Sequence, residues 1–291
     1  MIQKNFKLLL FSLMFLIASY TFMGGDCNTN NNNDITAPTS TVAPPASFTY
    51  KVDADIEENS RVTFNWTASP DENDDDFKGY RIITVELDSN NQFNSVFQEQ
   101  ALNKTIKSYT ISSLERGIRF KTYLLAERNN GTKSDSLETD VYAGVFYNTN
   151  GIIDSYVANG YSLSGFGWDV STGVGTAYPY TQSNAGKIDV HVRELSGEPY
   201  FFSPGGLDEG YKLTKMKNIG SGLSAFDYTD LPEADETFLA VNLGDVYLVK
   251  TQEGYYAKIW IKSIDPPSLD QGYYTLHFDF KVQPIQGLRV L

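Results

Sequence analysis

Haem chemistry in this chain would need axial ligands, and the only two histidines that could supply an imidazole are His191 and His277. Each stands in an alternating stretch. In Ile188-Asp189-Val190-His191-Val192 the apolar residues share one side, and Asp189, His191 and Arg193 share the other. Around His277, Leu276, Phe278 and Phe280 oppose Thr275, His277 and Asp279. Alternation therefore expects both rings on solvated outer faces among charged neighbours. Acids gather in Asp71, Glu72, Asn73, Asp74, Asp75 and Asp76. Such hard oxygens suit calcium, but the glycine of an ordered calcium loop is missing, so a solvated, self-repelling turn is expected. The sequence has no Gly-x-Ser-x-Gly, no His-Glu-x-x-His and no phosphate-cradling glycine loop. No catalytic residue, no metal site and no cofactor are expected. A glycosidase's carboxylate pair has no fixed spacing, which keeps a carbohydrate-active enzyme as a distant alternative.

Binding by aromatic side chains is the remaining chemistry. Tyr256, Lys258, Trp260 and Lys262 share one face of a strand, while Ala257, Ile259 and Ile261 share the other. Trp260 and Tyr256 are therefore the candidate ligand surface, suited to stacking on a sugar or to anchoring a protein. The competing expectation covers Trp260 with the loop after Leu207.

These residues need strands to hold them. Val62 to Trp66, Gly79 to Val85, Thr105 to Ile111, Ile118 to Glu127 and Leu137 to Phe146 alternate at short intervals with turn residues between them. Further along, strands are expected at Ile188 to Val192, Phe238 to Leu243, Asp245 to Thr251, Tyr255 to Ile264 and Tyr273 to Val282. Gln252-Glu253-Gly254 reads as a hairpin turn, and Asp265-Pro266-Pro267 stops the next strand because proline cannot continue a ladder. Ser221 to Glu236 reads as loop or short helix, with Asp230-Leu231-Pro232-Glu233 as a helix start. The fold class is thus all-β, a sandwich followed by a second antiparallel β-rich domain.

The N-terminus carries an address. Lys4 and Lys7 precede an apolar run from Leu8 to Met23, and Gly24, Gly25 and Asp26 lead to Cys27, the sole cysteine. This is the build of an export signal, and one cysteine allows no internal disulfide. Residues 4 to 27 resemble the signal of bacterial lipoproteins, which implies that Cys27 is lipidated; Asp26 stands where that family has Gly, Ala or Ser. Asn28 to Pro44 is low in complexity, with four asparagines at 30 to 33, and is expected to remain a disordered tether. A net charge of −13 argues against nucleic acid and against simple attraction to anionic lipid.

Residues 45–146 resemble a fibronectin type III domain. The proline-led entry Pro44-Pro45, Trp66, and Tyr80 after Gly79 follow that family's order, as do Leu114, Gly117 and Phe120 ahead of the sixth strand. Ala126, Asn129, Gly131 and Ser134 are similar to its closing run, and Phe120 replaces its corner tyrosine. In the second domain, 147–291, Gly244 to Thr251 with Gly254 to Ile259, and Gly167 to Gly173, resemble stretches of the HmuY-like family of exported haem-binding proteins. The expectation is a lipid-anchored, non-catalytic binding or interaction protein of the cell envelope, on the outer membrane or cell surface. Its partners are the membrane, through the N-terminal lipid, and a protein or carbohydrate ligand, not nucleic acid. A haem- or small-ligand-capturing surface lipoprotein is the alternative.

Overall fold

The computed structural model describes residues 42–53, 60–157, 162–227, 231–270 and 272–291. All of them belong to one compact unit, Thr41–Leu291. Cys27, the apolar segment before it and the tether as far as residue 41 lie outside the described residues. Strand makes up 53% of the structure and helix 8%, so the chain is all-β.

The folded chain begins ahead of the expected start at residue 45. Val42 is buried in the first core, and Ala43 is held at both ends, its N–H on Asp71 Oδ2 (2.8 Å) and its carbonyl accepting from Ser69 Oγ (2.6 Å). Among the described residues eight strands follow: β1 (Phe48–Asp53), β2 (Ser60–Trp66), β3 (Phe77–Leu87), β4 (Phe93–Asn103), β5 (Ser108–Leu114), β6 (Arg119–Arg128), β7 (Leu137–Glu138) and β8 (Tyr142–Ala143). One sheet runs β1-β2-β5 and the other β4-β3-β6-β7, with β8 on β6, and every pairing is antiparallel. Two antiparallel sheets packed face to face make this half a β-sandwich. Alternation places the core: Val62, Phe64 and Trp66 of β2 point inward and meet Tyr80 and Ile82 of β3 and Phe120 and Leu124 of β6. The expected single strand over Leu137 to Phe146 is broken into two short pieces, β7 and β8.

The acidic turn is neither a calcium loop nor a self-repelling one. Arg128, at the end of β6, has only 9% of its side chain exposed and places its guanidinium among Asp71 (3.3 Å), Asp74 (2.8 Å) and Asp76. A fixed cation thus takes the place that a divalent ion would fill. Among the described residues no group of three or more His, Cys, Asp or Glu side chains is arranged to hold a metal.

The described residues of the second half form ten strands: β9 (Phe146–Asp154), β10 (Gly165–Asp169), β11 (Val174–Tyr178), β12 (Val190–Leu195), β13 (Glu198–Phe202), β14 (Lys215–Ser221), β15 (Phe238–Ala240), β16 (Asp245–Lys250), β17 (Tyr256–Asp265) and β18 (Thr275–Val282). They form two five-stranded sheets, β11-β10-β12-β13-β15 and β14-β16-β17-β18-β9. The β16-β17-β18 meander matches the expectation, and Gly254, at φ +86°, makes its first turn in a conformation that side chains rarely adopt. Phe166, Val190, Val192 and Phe201 of one sheet pack on Tyr247, Ile259, Ile261, Phe278 and Phe280 of the other. A short helix, α1 (Gly222–Phe226), ends before the expected start at Asp230, which lies outside the described residues, and residues 231–236 are not helical. Pro232 suits a non-helical connector as well as a first helical turn.

The two halves share a core. The cluster containing Trp66 continues through Leu231, Ala234, Leu248, Tyr256, Val290 and Leu291. Between β8 and β9 the buried Ser60 hydroxyl donates to the Val145 carbonyl (2.6 Å) and accepts from its N–H (2.7 Å). Both backbone groups of Val145, the second of the two connecting residues, are thereby satisfied without water.

Candidate functional site

Tyr256, taken from alternation as a ligand residue, does not present a surface. It does face the same way as Lys258 and Trp260, but that face of the sheet is covered by the shared core, leaving Tyr256 3% exposed. Trp260 is half-buried: Phe226 of α1 lies against it with ring centroids 5.5 Å apart, and the Lys262 ammonium sits 3.3 Å from its ring centre. Its cover is α1, not the loop after Leu207. The same face buries Lys258, whose ammonium donates to the carbonyls of Phe226 and Leu291 at 3.1 Å each. Burial first, and then the neighbouring Lys281 charge, push its pKa down to about 7.

The opposite sheet carries the arrangement with more chemical content. Ser196 and Gly197 both have positive φ, 56° and 83°, and join β12 to β13 in a tight hairpin whose register pairs His191 with Phe202 and Arg193 with Tyr200. His191 and Arg193, two apart on β12, stand on the outer face. His277 keeps part of the solvated character expected of it, paired with Asp265 at 3.0 Å and 38% exposed. His191 does not. It lies on the polar side of its strand, yet it is fully buried because Tyr180, carried by the loop after β11, stacks flat on it at 3.7 Å and 20°.

Tyr211 stacks in turn on Tyr180 at 4.5 Å and 16°, giving a three-ring pile, and Tyr156 meets both Tyr180 and His191 edge-on. The tautomer of His191 follows from its partners. The Ser164 carbonyl, 2.8 Å away, can only accept, so Nδ1 carries the proton; Nε2 then accepts from Arg193 Nε at 2.9 Å. Burial pushes the His191 pKa down to about 3, so the ring is neutral at physiological pH. Held from below by that nitrogen, the Arg193 guanidinium lies over Tyr156 (5.1 Å) and Tyr180 (5.5 Å). Asp208 stands beside it, 3.5 Å from Arg193 Nη2 and accepting from Tyr180 Oη at 2.9 Å.

The loop that supplies Asp208 and Tyr211 is fixed by charge. Lys212 enters the protein and pairs with the buried Asp189 at 3.0 Å, and Asp189 also accepts from the Trp168 N–H at 3.0 Å. Burial raises the Asp189 pKa while the Lys212 charge opposes that rise. On the same outer face the strip continues through Tyr200, Phe202 and Phe238, with Phe202 and Phe238 stacked at 5.9 Å and Phe238 54% exposed. A groove of about 420 Å³ runs beside Phe238, lined also by Lys215 and Ala240.

Alternation could place His191 and Arg193 on one face, but nothing in the sequence pattern joins Tyr156, Tyr180, Asp208 and Tyr211 to them. The only available signal was the density of tyrosine in turn-rich segments, which does not reveal which tyrosines meet. No family model matches this sequence, and no curated protein does. Among solved structures the chain is similar to the kinase region of twitchin from C. elegans (Fn31-NL-kin-CRD-Ig26), at 11% identity and a TM-score of 0.24, over 82% of this chain and 40% of that one.

Proposed function

We propose that this chain is a lipid-anchored, non-catalytic binding protein of the cell envelope, with a fibronectin type III-like sandwich next to its anchor. Its binding surface is then the aromatic outer face of the β12–β13 sheet. The observation that carries this reading is the pile of Tyr211, Tyr180 and His191 with the Arg193–Asp208 pair beside it. Aromatic rings and arginine held together at the surface are the composition of binding hot spots. The fibronectin-like reading draws support from β4, which pairs with β3 rather than joining the β2–β5 sheet as the fourth strand of a constant-type immunoglobulin domain does.

The anchor is testable by itself. Cys27→Ser is expected to move the protein from the membrane to the soluble fraction and to abolish fatty-acid labelling. A wild-type chain that takes up no label removes the anchor from the proposal. Binding at the aromatic face is tested by hydroxyl-radical oxidation of Tyr211, expected to be slower on intact cells than on the purified 41–291 unit, where its ring is only half-buried. Equal oxidation in both settings would count against the face.

The haem-capturing alternative would need an imidazole nitrogen for iron. At His191 one nitrogen donates to Ser164 and the other accepts from Arg193, so no lone pair remains. Haemin titration is therefore expected to give no saturating Soret shift that His191→Ala removes. A one-equivalent shift lost in that variant would restore the alternative.

A further inference from the structure

The geometry around Tyr211 points to a ligand class: we infer that this face binds a neutral sugar, a pyranose lying on Tyr211 with adjacent hydroxyls bridging Asp208 and Arg193. The inference rests on the reading of this face as the binding surface. Tyr211 has one ring face on Tyr180 and remains half-buried, so its far face and edge are what a ligand can reach. The C–H-rich face of a pyranose matches such a ring, gaining contact area on a rigid platform.

The polar pair beside the ring fits hydroxyls better than charges. Arg193 Nη2 and Asp208 are 3.5 Å apart, longer than the 2.7–2.9 Å of a closed charge-assisted bond. A hydroxyl can both donate and accept, so it can give its proton to the Asp208 carboxylate while a neighbouring hydroxyl accepts from the guanidinium. A ligand anion meets a cation already countered by Asp208, on a chain of net charge −13. A ligand cation meets Arg193. Neutral ligands face neither repulsion.

The site is also built in advance. Arg193 is fixed by Nε on the neutral, fully buried His191 and by two flanking tyrosine rings. Asp208 is oriented by the Tyr180 hydroxyl, and Tyr211 follows from the Lys212–Asp189 anchor. Groups held so need little ordering when a ligand arrives, which matters for sugars because each hydroxyl contact gains little over water. His191 is a positioning residue here, not a ligand contact.

The test uses the 41–291 unit, a compact body in its own right. It is titrated by calorimetry with short neutral gluco-, manno- and galacto-oligosaccharides, and Tyr211 oxidation is followed with and without each. At least one is expected to bind saturably and to slow Tyr211 oxidation. Tyr211→Ala and Asp208→Asn are expected to weaken that binding at least about tenfold, the size of a lost hot-spot contact, with unchanged circular dichroism. Phe93→Ala, an exposed aromatic on β4 of the first sandwich, is expected to leave it unaltered. No saturable binding across the three series, or binding that survives Tyr211→Ala, overturns the sugar assignment. In the first case the whole-cell footprint separates the two claims: slower Tyr211 oxidation on cells keeps the binding face and discards the sugar, whereas equal oxidation discards both.

Discussion

Trp66→Ala is expected to lower the unfolding free energy of the 41–291 unit by about 3–5 kcal/mol, the range for deleting a large aromatic side chain from a core. Trp66 is 4% exposed, meets Tyr80 edge-on at 5.8 Å, and belongs to the cluster that continues into Leu248, Tyr256 and Leu291. The cavity lies near the middle of the first sandwich, where two sheets at fixed spacing cannot collapse to fill it. Because that cluster is continuous, the loss is expected to appear in tryptophan fluorescence and in near-ultraviolet dichroism of the second half at the same denaturant midpoint. Two separate transitions, with only the earlier one shifted, would show that the shared core does not couple the halves. An unchanged midpoint would show that Trp66 is not a core residue.

A second large effect is expected from pH. Lys258 has a folded pKa of about 7 against an ordinary value of 10.5. Between these values the unfolded chain binds a proton that the folded chain does not, so stability attributable to Lys258 rises with pH across that window. It is fully favourable above about 10.5 and is lost as pH falls toward 7, below which no further change comes from this group. The slope is at most roughly 1.4 kcal/mol per pH unit. Lys281, its cross-strand neighbour, is shifted downward too, chiefly by burial, and its bond to Asp227 (3.1 Å) works against that shift. The difference in unfolding free energy between wild type and Lys258→Met is therefore expected to move in favour of wild type by roughly 2–3 kcal/mol between pH 7.5 and 9.5. Urea denaturation of both proteins at each pH measures it, and parallel pH curves would mean that the buried ammonium keeps its proton throughout.

Alternation located the elements where one face is buried and the other is not. Val62-Thr63-Phe64-Asn65-Trp66 has that pattern and is a strand in the expected place; the β16–β17 hairpin, buried on both faces, is marked instead by two strand-like runs on either side of the Gly254 turn. β4 was not legible, since Phe93-Asn94-Ser95-Val96-Phe97-Gln98-Glu99-Gln100 is an edge strand whose residues are largely exposed, with a register shift where its partner passes from Thr84 to Val85. Edge strands bury too little to impose a period of two. At the site the pattern was right about direction and silent about cover. His191 and Tyr256 each lie on the face that alternation gives them, and each is buried because another element lies on top: the Tyr180 loop over one, and the first sandwich with α1 and the chain's last residues over the other. A strand's own sequence records which way a side chain points, whereas what meets it there is decided by residues tens of positions away.

The Ser60 clamp on Val145 has a mechanical consequence. A ligand held at the Tyr211 face and pulled away from the N-terminal end would load the junction between β8 and β9, where most two-sandwich chains have a compliant linker that swings before it transmits force. Here the junction residue is gripped at both its N–H and its carbonyl, and apolar side chains from both halves interlock around it. The two sandwiches are therefore expected to bear tension as one stiff body, so that a bond made at the Tyr211 face would feel the pull without a hinge to reorient it.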